Sequence, residues 1–186
     1  SSPRARAAPV SYGCSAGLDL NVDRAVVVGN GNVALDVARM LALTPEELAP
    51  TDTTDPAIEA IGASTLREID IVGRRGPAQA SWTTQELKEM GELAGADIDV
   101  DPAELEGAEG NDTQTQRNLD VLHEFAAREP SGKPLVIRFL FFRSPVAIRG
   151  DAQVESIELV RNRHEGAPTV VAAVADSQRW DLSLEY

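Results

Sequence analysis

Cysteine is almost missing from this chain. Cys14 is the only one among 186 residues, so an internal disulfide is excluded and a reducing compartment is accommodated. Aromatic residues make up only 4% of the chain against 42% hydrophobic overall, so the core must be built mainly from aliphatic side chains. Positive charge is scarce as well: 17 Lys and Arg face 30 Asp and Glu, leaving a net charge of −13. That balance argues against a nucleic-acid partner, because such affinity rests on neutralising phosphates with Lys and Arg. No apolar run approaches the roughly 18 residues that a membrane span needs. The N-terminal stretch also lacks the apolar segment of a secretory signal. Residues 1–22 are expected to be a lead-in, disordered or foreign to the domain, and residues 23–186 the domain proper. The compartment expected is the cytoplasm. The mitochondrial matrix is the alternative, because Arg, Ser and Ala precede the first acid at Asp19.

What is present is a rhythm of short β-branched runs and amphipathic segments. "RAVVVG", from Arg24, reads as a buried strand closed by glycine. Asn32 to Leu43 reads as a helix carrying Val33, Leu35, Val37, Met40 and Leu41 with alanines between them. Two short helices follow, opened by Thr44-Pro45-Glu46-Glu47 and by Asp55-Pro56. Arg67–Val72 is a second strand, and Thr83 with Glu86 three residues on forms a capping box that starts a helix ending near Gly91. Residues 96–102 form a third brief strand. A helix with Leu119, Leu122 and Phe125 on one stripe then stops at Pro130. From Pro134 onward the pattern predicts strands joined by tight turns. The expectation is an α/β domain in three layers: a parallel sheet of three strands in the order 3-2-1, helices on both faces, and an antiparallel β-meander appended.

Gly29-Asn30-Gly31-Asn32-Val33-Ala34 fits the pattern Gly-x-Gly-x-x-Ala between a strand and a helix. Gly29 permits the sharp turn, Gly31 lets a pyrophosphate approach bare main chain, and Ala34 lets helix and strand pack closely. The N–H groups and positive end of the helix can hold phosphate without a lysine. Glycine turns of this kind also occur for packing alone, so a second signal is needed. It comes from Gly73-Arg74-Arg75-Gly76. An acid that would take a ribose 2′-hydroxyl is missing at the end of the second strand, and two guanidinium forks stand there instead. Forks suit a dianionic 2′-phosphate. The pair predicts a Rossmann-like unit that binds NADP rather than NAD. Two arginines on a turn can also be merely solvated; the glycine loop tips the balance.

"VVVGNGNVALDVARMLALTPEELAPTDTTDPAIEAI" followed by "IVGRRGPAQASWTTQELKEM" closely resembles the NADP-binding domain of adrenodoxin-reductase-type ferredoxin–NADP reductases. The resemblance runs from about Asp23 to Met90 and returns in part around Ser144-Pro145-Val146. It implies that Asn30, Gly31, Asn32 and Val33 line the pyrophosphate, that Arg74 and Arg75 hold the 2′-phosphate, and that Glu86 lies at the same site. A carboxylate beside a phosphate would serve by orienting an arginine or accepting from a ribose hydroxyl; the capping box is its structural alternative. The resemblance further implies hydride transfer from NADPH to FAD and electron transfer to ferredoxin. FAD would be held by a separate domain, and no second Gly-x-Gly occurs here. Where mitochondrial members carry a basic cluster for acidic ferredoxin, this chain offers only Arg117, Arg128 and Lys133 among several acids.

Other readings carry less. A short-chain dehydrogenase needs Tyr with Lys four residues later, and neither Tyr12 nor Tyr186 has that partner. A regulatory or scaffold module that binds NADP without catalysis stays open. His123 reads as a structural residue of its helix and His164 as part of a polar turn. Trp82 reads as a core anchor rather than a wall for adenine. Asp97, Asp99 and Asp101 read as a solvated strand edge rather than a calcium site. Asp36 and Arg39 are spaced to pair along the first helix.

Overall fold

The computed structural model describes residues 20–151, 154–165 and 172–183. Most of the expected lead-in, together with Tyr12, Cys14 and Tyr186, lies outside the described residues. Four strands, β1 (Arg24–Val28), β2 (Glu68–Val72), β3 (Ala96–Val100) and β4 (Leu135–Leu140), form one sheet in the order β1-β2-β4-β3. Every pairing in it is parallel, and Val28, Val72 and Leu140 stand level at its carboxyl end. β5 (Arg143–Arg149), β6 (Ser156–Glu165) and β7 (Ala172–Ser183) form a second, antiparallel sheet.

The α/β class and the appended antiparallel sheet agree with the sequence reading; the 3-2-1 order does not. β4 is a fourth parallel strand inserted between β2 and β3, whereas the sequence pattern groups it with the antiparallel strands. The reason is its connection: a helix precedes it, so it enters parallel to its neighbours. At its far end Phe141 and Phe142, the latter at φ 55°, hand the chain to the second sheet. His164, expected in a turn, lies in β6.

Five helices connect these strands: α1 (Asn32–Ala42), α2 (Pro45–Leu48), α3 (Asp55–Gly62), α4 (Thr84–Met90) and α5 (Thr113–Ala126). α1 lays Ala34, Leu35, Ala38 and Ala42 on the sheet and turns Val33, Val37 and Met40 outward. Three alanines in the buried stripe are what let it approach β1 and β2 so closely. Thr44 and Glu47 complete a reciprocal capping box, with Glu47 N–H donating to Thr44 Oγ1 at 3.3 Å and Thr44 N–H to Glu47 Oε2 at 2.9 Å. Arg39 pairs not with Asp36 but with Glu89 of α4, at 3.5 Å.

α1, α4 and α5 share one core with the inward residues of the parallel sheet, among them Ile69, Ile71, Ile137 and Phe139. On the opposite face, Ile157 and Leu159 of β6 pack on Val72, Val26 and Leu140. The middle of that face is charged. Asp70 is fully buried between Arg24 and Arg138, and burial pushes its carboxyl up while the two guanidiniums oppose the shift. Trp82, Phe139 and Phe141 meet at centroid distances of 5.5 to 6.2 Å and anchor the route from β2 into α4.

Candidate functional site

A cleft of about 390 Å³ opens at the carboxyl ends of β1, β2 and β4, where parallel sheets characteristically receive ligands. Two of its walls are the segments singled out from the sequence: Gly29, Asn30 and Gly31 from the first loop, and Gly73, Arg74 and Arg75 from the second. Forty-odd residues apart in the chain, they meet because β1 and β2 are neighbours in register.

The glycine wall is built as its residue types suggest. Gly29 has φ +150°, a backbone state that side chains rarely adopt, and its N–H donates to Val72 O at 2.9 Å. Ala34 is buried at the start of α1, and a Cβ on Gly29 would lie 3.6 Å from the Ala34 methyl. Gly31 is the N-cap of α1 in an extended conformation that any residue could adopt. It supplies no side-chain cap, and the first turn holds no acid, so the positive helix end is left uncompensated. A Cβ there would press on Ser81 Oγ at 3.1 Å. Both polar atoms of the Asn30 carboxamide are buried without a hydrogen-bond partner, and the group lies against Gly73. Val33 is the most exposed of the helix-opening residues and, like Asn32 and Ala34, is not part of the cleft wall.

The arginine wall has a fixed main chain and free side chains. Gly73 N–H donates to Leu140 O and Arg143 N–H to Gly73 O, both at 2.9 Å. Phe142 N–H donates to Arg75 O at 3.2 Å, and the Asn162 carboxamide donates to Arg74 O at 2.7 Å. The side chains of Arg74 and Arg75 are exposed, and no acid among the described residues pairs with either. In a chain with 30 acids, two guanidiniums left unpaired on one turn are available to an external anion.

Two residues of the sequence-derived set have structural duties. Asn32 turns its side chain to α4, accepting from Thr83 N–H at 3.0 Å. Glu86 is not a cleft residue; its N–H and carboxylate both engage the Thr83 hydroxyl at the start of α4. The box is therefore not reciprocal, because the Thr83 N–H that Glu86 would take is given to Asn32.

The cleft also contains residues that sequence reasoning did not single out. Gln79 and Ser81 line it from the loop after the arginines. Arg143 lines it from β5, but its guanidinium pairs with Glu104 and donates to Phe141 O at 2.7 Å. Glu104 is 3% exposed and accepts from Phe141 N–H at 2.9 Å as well, so this ion pair braces the β4–β5 corner. A glutamate directly after Pro-Ala in a surface-like stretch gave no hint of burial. Asn118 likewise escaped notice: it is 4% exposed, donates to Trp82 O at 3.0 Å and accepts from the Thr84 hydroxyl at 2.7 Å.

The remaining candidates resolve quietly. Trp82 is fully buried and outside the cleft wall. His123 is exposed on α5. Asp97 accepts from the N–H groups of Ser131, Gly132 and Lys133, Asp99 pairs with Arg138 at 2.8 Å, and Asp101 caps the turn at Ala103. Arg128 lies over the Phe125 ring at 4.8 Å, and Lys133 Nζ donates to Leu93 O and Ala96 O, so only Arg117 of the three bases is uncommitted. No described helix is long and apolar enough to cross a membrane.

No protein-family model matches the chain. Curated relatives do. The NADPH-ferredoxin reductase FprA of Mycobacterium tuberculosis is 47% identical over 149 residues, which are 77% of this chain and 33% of that protein. The mitochondrial NADPH:adrenodoxin oxidoreductase of Bos taurus is 36% identical over 179 residues, covering 88% of this chain and 36% of that one. The solved structure of Mycobacterium tuberculosis FprA in complex with NADPH has a TM-score of 0.83 at 43% identity, covering 90% of this chain and 38% of that one. The chain thus spans about a third of the length of the curated relatives it matches. In sequence and in fold it is homologous to part of the adrenodoxin-reductase-type ferredoxin–NADP reductases.

Proposed function

We propose that this chain is the NADP(H)-binding part of a flavin-dependent ferredoxin–NADP reductase. The observation that carries the reading is the convergence of the glycine loop and two unpaired arginines on one cleft. The residues present fit the dinucleotide. The N-terminus of α1, with no acid in its first turn, suits the pyrophosphate. The partnerless carboxamide of Asn30 has donors and an acceptor to offer beside it. Arg74 and Arg75 suit the 2′-phosphate. On this reading Gly29 and Ala34 shape the turn, Gly31 clears the approach, and Val33 contributes main chain. Asn32 and Glu86 act at one remove, by fixing α4 and the loop that carries Gln79 and Ser81.

When bound, NADPH supplies the hydride that FAD accepts before electrons pass singly to a ferredoxin. The flavin falls to the remainder of the enzyme, so residues 23–186 alone are expected to bind nucleotide without turnover. The α5 region is not proposed as the ferredoxin dock, because Arg128 and Lys133 are turned to the fold. Of the two compartments, the cytoplasm is favoured: the mycobacterial FprA proteins are 44–47% identical and the mitochondrial enzymes 36–37%.

Calorimetric titration with NADP and NAD tests the assignment. Tighter binding of NADP is expected; equal affinities would overturn it.

A further inference from the structure

We propose that Asn162, from the second sheet, is a positioning residue that sets selectivity for the 2′-phosphorylated dinucleotide. The inference rests on the reading that Arg74 and Arg75 take that phosphate. No acid among the described residues pairs with either arginine side chain, so the main chain sets the root from which each fork reaches. That main chain is pinned on either side of the Arg74–Arg75 peptide, at Gly73 by Leu140 and Arg143 and at Arg75 O by the Phe142 N–H. The peptide between these points is held from β6. The Asn162 carboxamide nitrogen lies 2.7 Å from Arg74 O and 2.9 Å from Ser144 Oγ, so both of its hydrogens are committed. Asn162 is 4% exposed, and its own N–H is held by Phe142 O, which keeps the side chain from swinging away.

The consequence is a matter of peptide geometry. In a trans peptide the N–H points opposite to the C=O. Holding Arg74 O towards β6 therefore directs the Arg75 N–H away from Asn162 and keeps a partial negative charge out of the anion's path. Without the bond, the Arg74–Arg75 peptide can turn its oxygen outward between its pinned neighbours, where it would repel a phosphate. Asn162 follows a break in the β6–β7 register between Val160 and Asn162, which is how a strand residue comes to aim at a turn 88 positions earlier in the chain.

The test is titration of the full chain and of Asn162→Ala with NADP, NAD and adenosine 2′,5′-bisphosphate. NADP and the bisphosphate are expected to lose roughly tenfold in affinity, the effect of one buried hydrogen bond, while NAD binding is unchanged. A parallel loss for NADP and NAD would mark a merely structural role, and unchanged affinities for both would remove the role altogether; either overturns the proposal. If the unmutated chain shows no preference for NADP, it is the cofactor assignment itself that fails. Should Asn162→Ala not fold, the unmutated chain still decides. The side-chain NH₂ resonances of Asn162 should shift with adenosine 2′,5′-bisphosphate and not with adenosine 5′-phosphate; resonances that respond to neither, or to both equally, overturn it.

Discussion

The carboxamide of Asn30 packs against the bare Cα of Gly73, so the tip of one wall of the cleft meets the root of the other. A Cβ at Gly73 would overlap that carboxamide. Gly73→Ala is therefore expected to cost about 1–3 kcal/mol by overpacking and to weaken NADP binding as Asn30 is displaced. Thermal melting and calorimetry on the same variant check both halves. Wild-type affinity in a destabilised protein would show that the contact matters to folding alone.

Gly31→Val should separate binding from folding. The backbone at Gly31, φ −131° and ψ 178°, is open to any residue, and the atom that must yield is the rotatable hydroxyl of Ser81. The fold should survive while the branched side chain stands where a phosphate would approach. Loss of NADP and NAD binding together, with near-native circular dichroism, is the expected outcome. Unchanged affinity would place the pyrophosphate elsewhere.

Arg74→Ala/Arg75→Ala should abolish preference rather than binding. Each charge-assisted hydrogen bond is worth about 1.5–3 kcal/mol, so NADP affinity should fall on the order of a hundredfold and NAD affinity hardly at all. The preference of the unmutated chain should also shrink as salt is raised, because both groups face solvent. A salt-independent preference would contradict exposed guanidiniums as its source.

Asp97 offers a test of stability. Its carboxyl is held below the ordinary carboxylate range, chiefly by the Ser131 hydroxyl; desolvation opposes the shift, and the N–H groups of Lys133, Gly132 and Ser131 add to it. A folded-state pKa below the unfolded one gives stabilisation that is complete above about pH 4 and fades as the pH falls through the folded value. Asp97→Asn should therefore melt below wild type at neutral pH, with the gap closing in acid. An equal gap at about pH 3 would point to lost packing rather than lost charge.

What could be read in advance was local. Strand, glycine turn and helix follow one another within residues 24–42, and Thr44 announces its partner Glu47 three positions away. The arginine turn could be read from what it lacks, an acid. Long-range choices were opaque. Nothing within "LVIRFL" distinguishes a parallel strand between β2 and β3 from the first strand of a meander; the helix before it was the usable signal. Arg39 had Asp36 within reach along its own helix but spans to Glu89 on another. Glu104 and Asn162 are polar residues whose burial follows from what the fold brings to them, and no periodicity encodes that.

The position of β1 at the rim of its sheet has a practical side. Among the described residues nothing pairs along its outer border, and of its five residues only Arg24 carries charge. Such a rim is a template for strand addition. Concentrated samples of this chain should accordingly self-associate through Arg24–Val28, and a lysine in place of Val28, which is 57% exposed, is the substitution that should keep them dispersed.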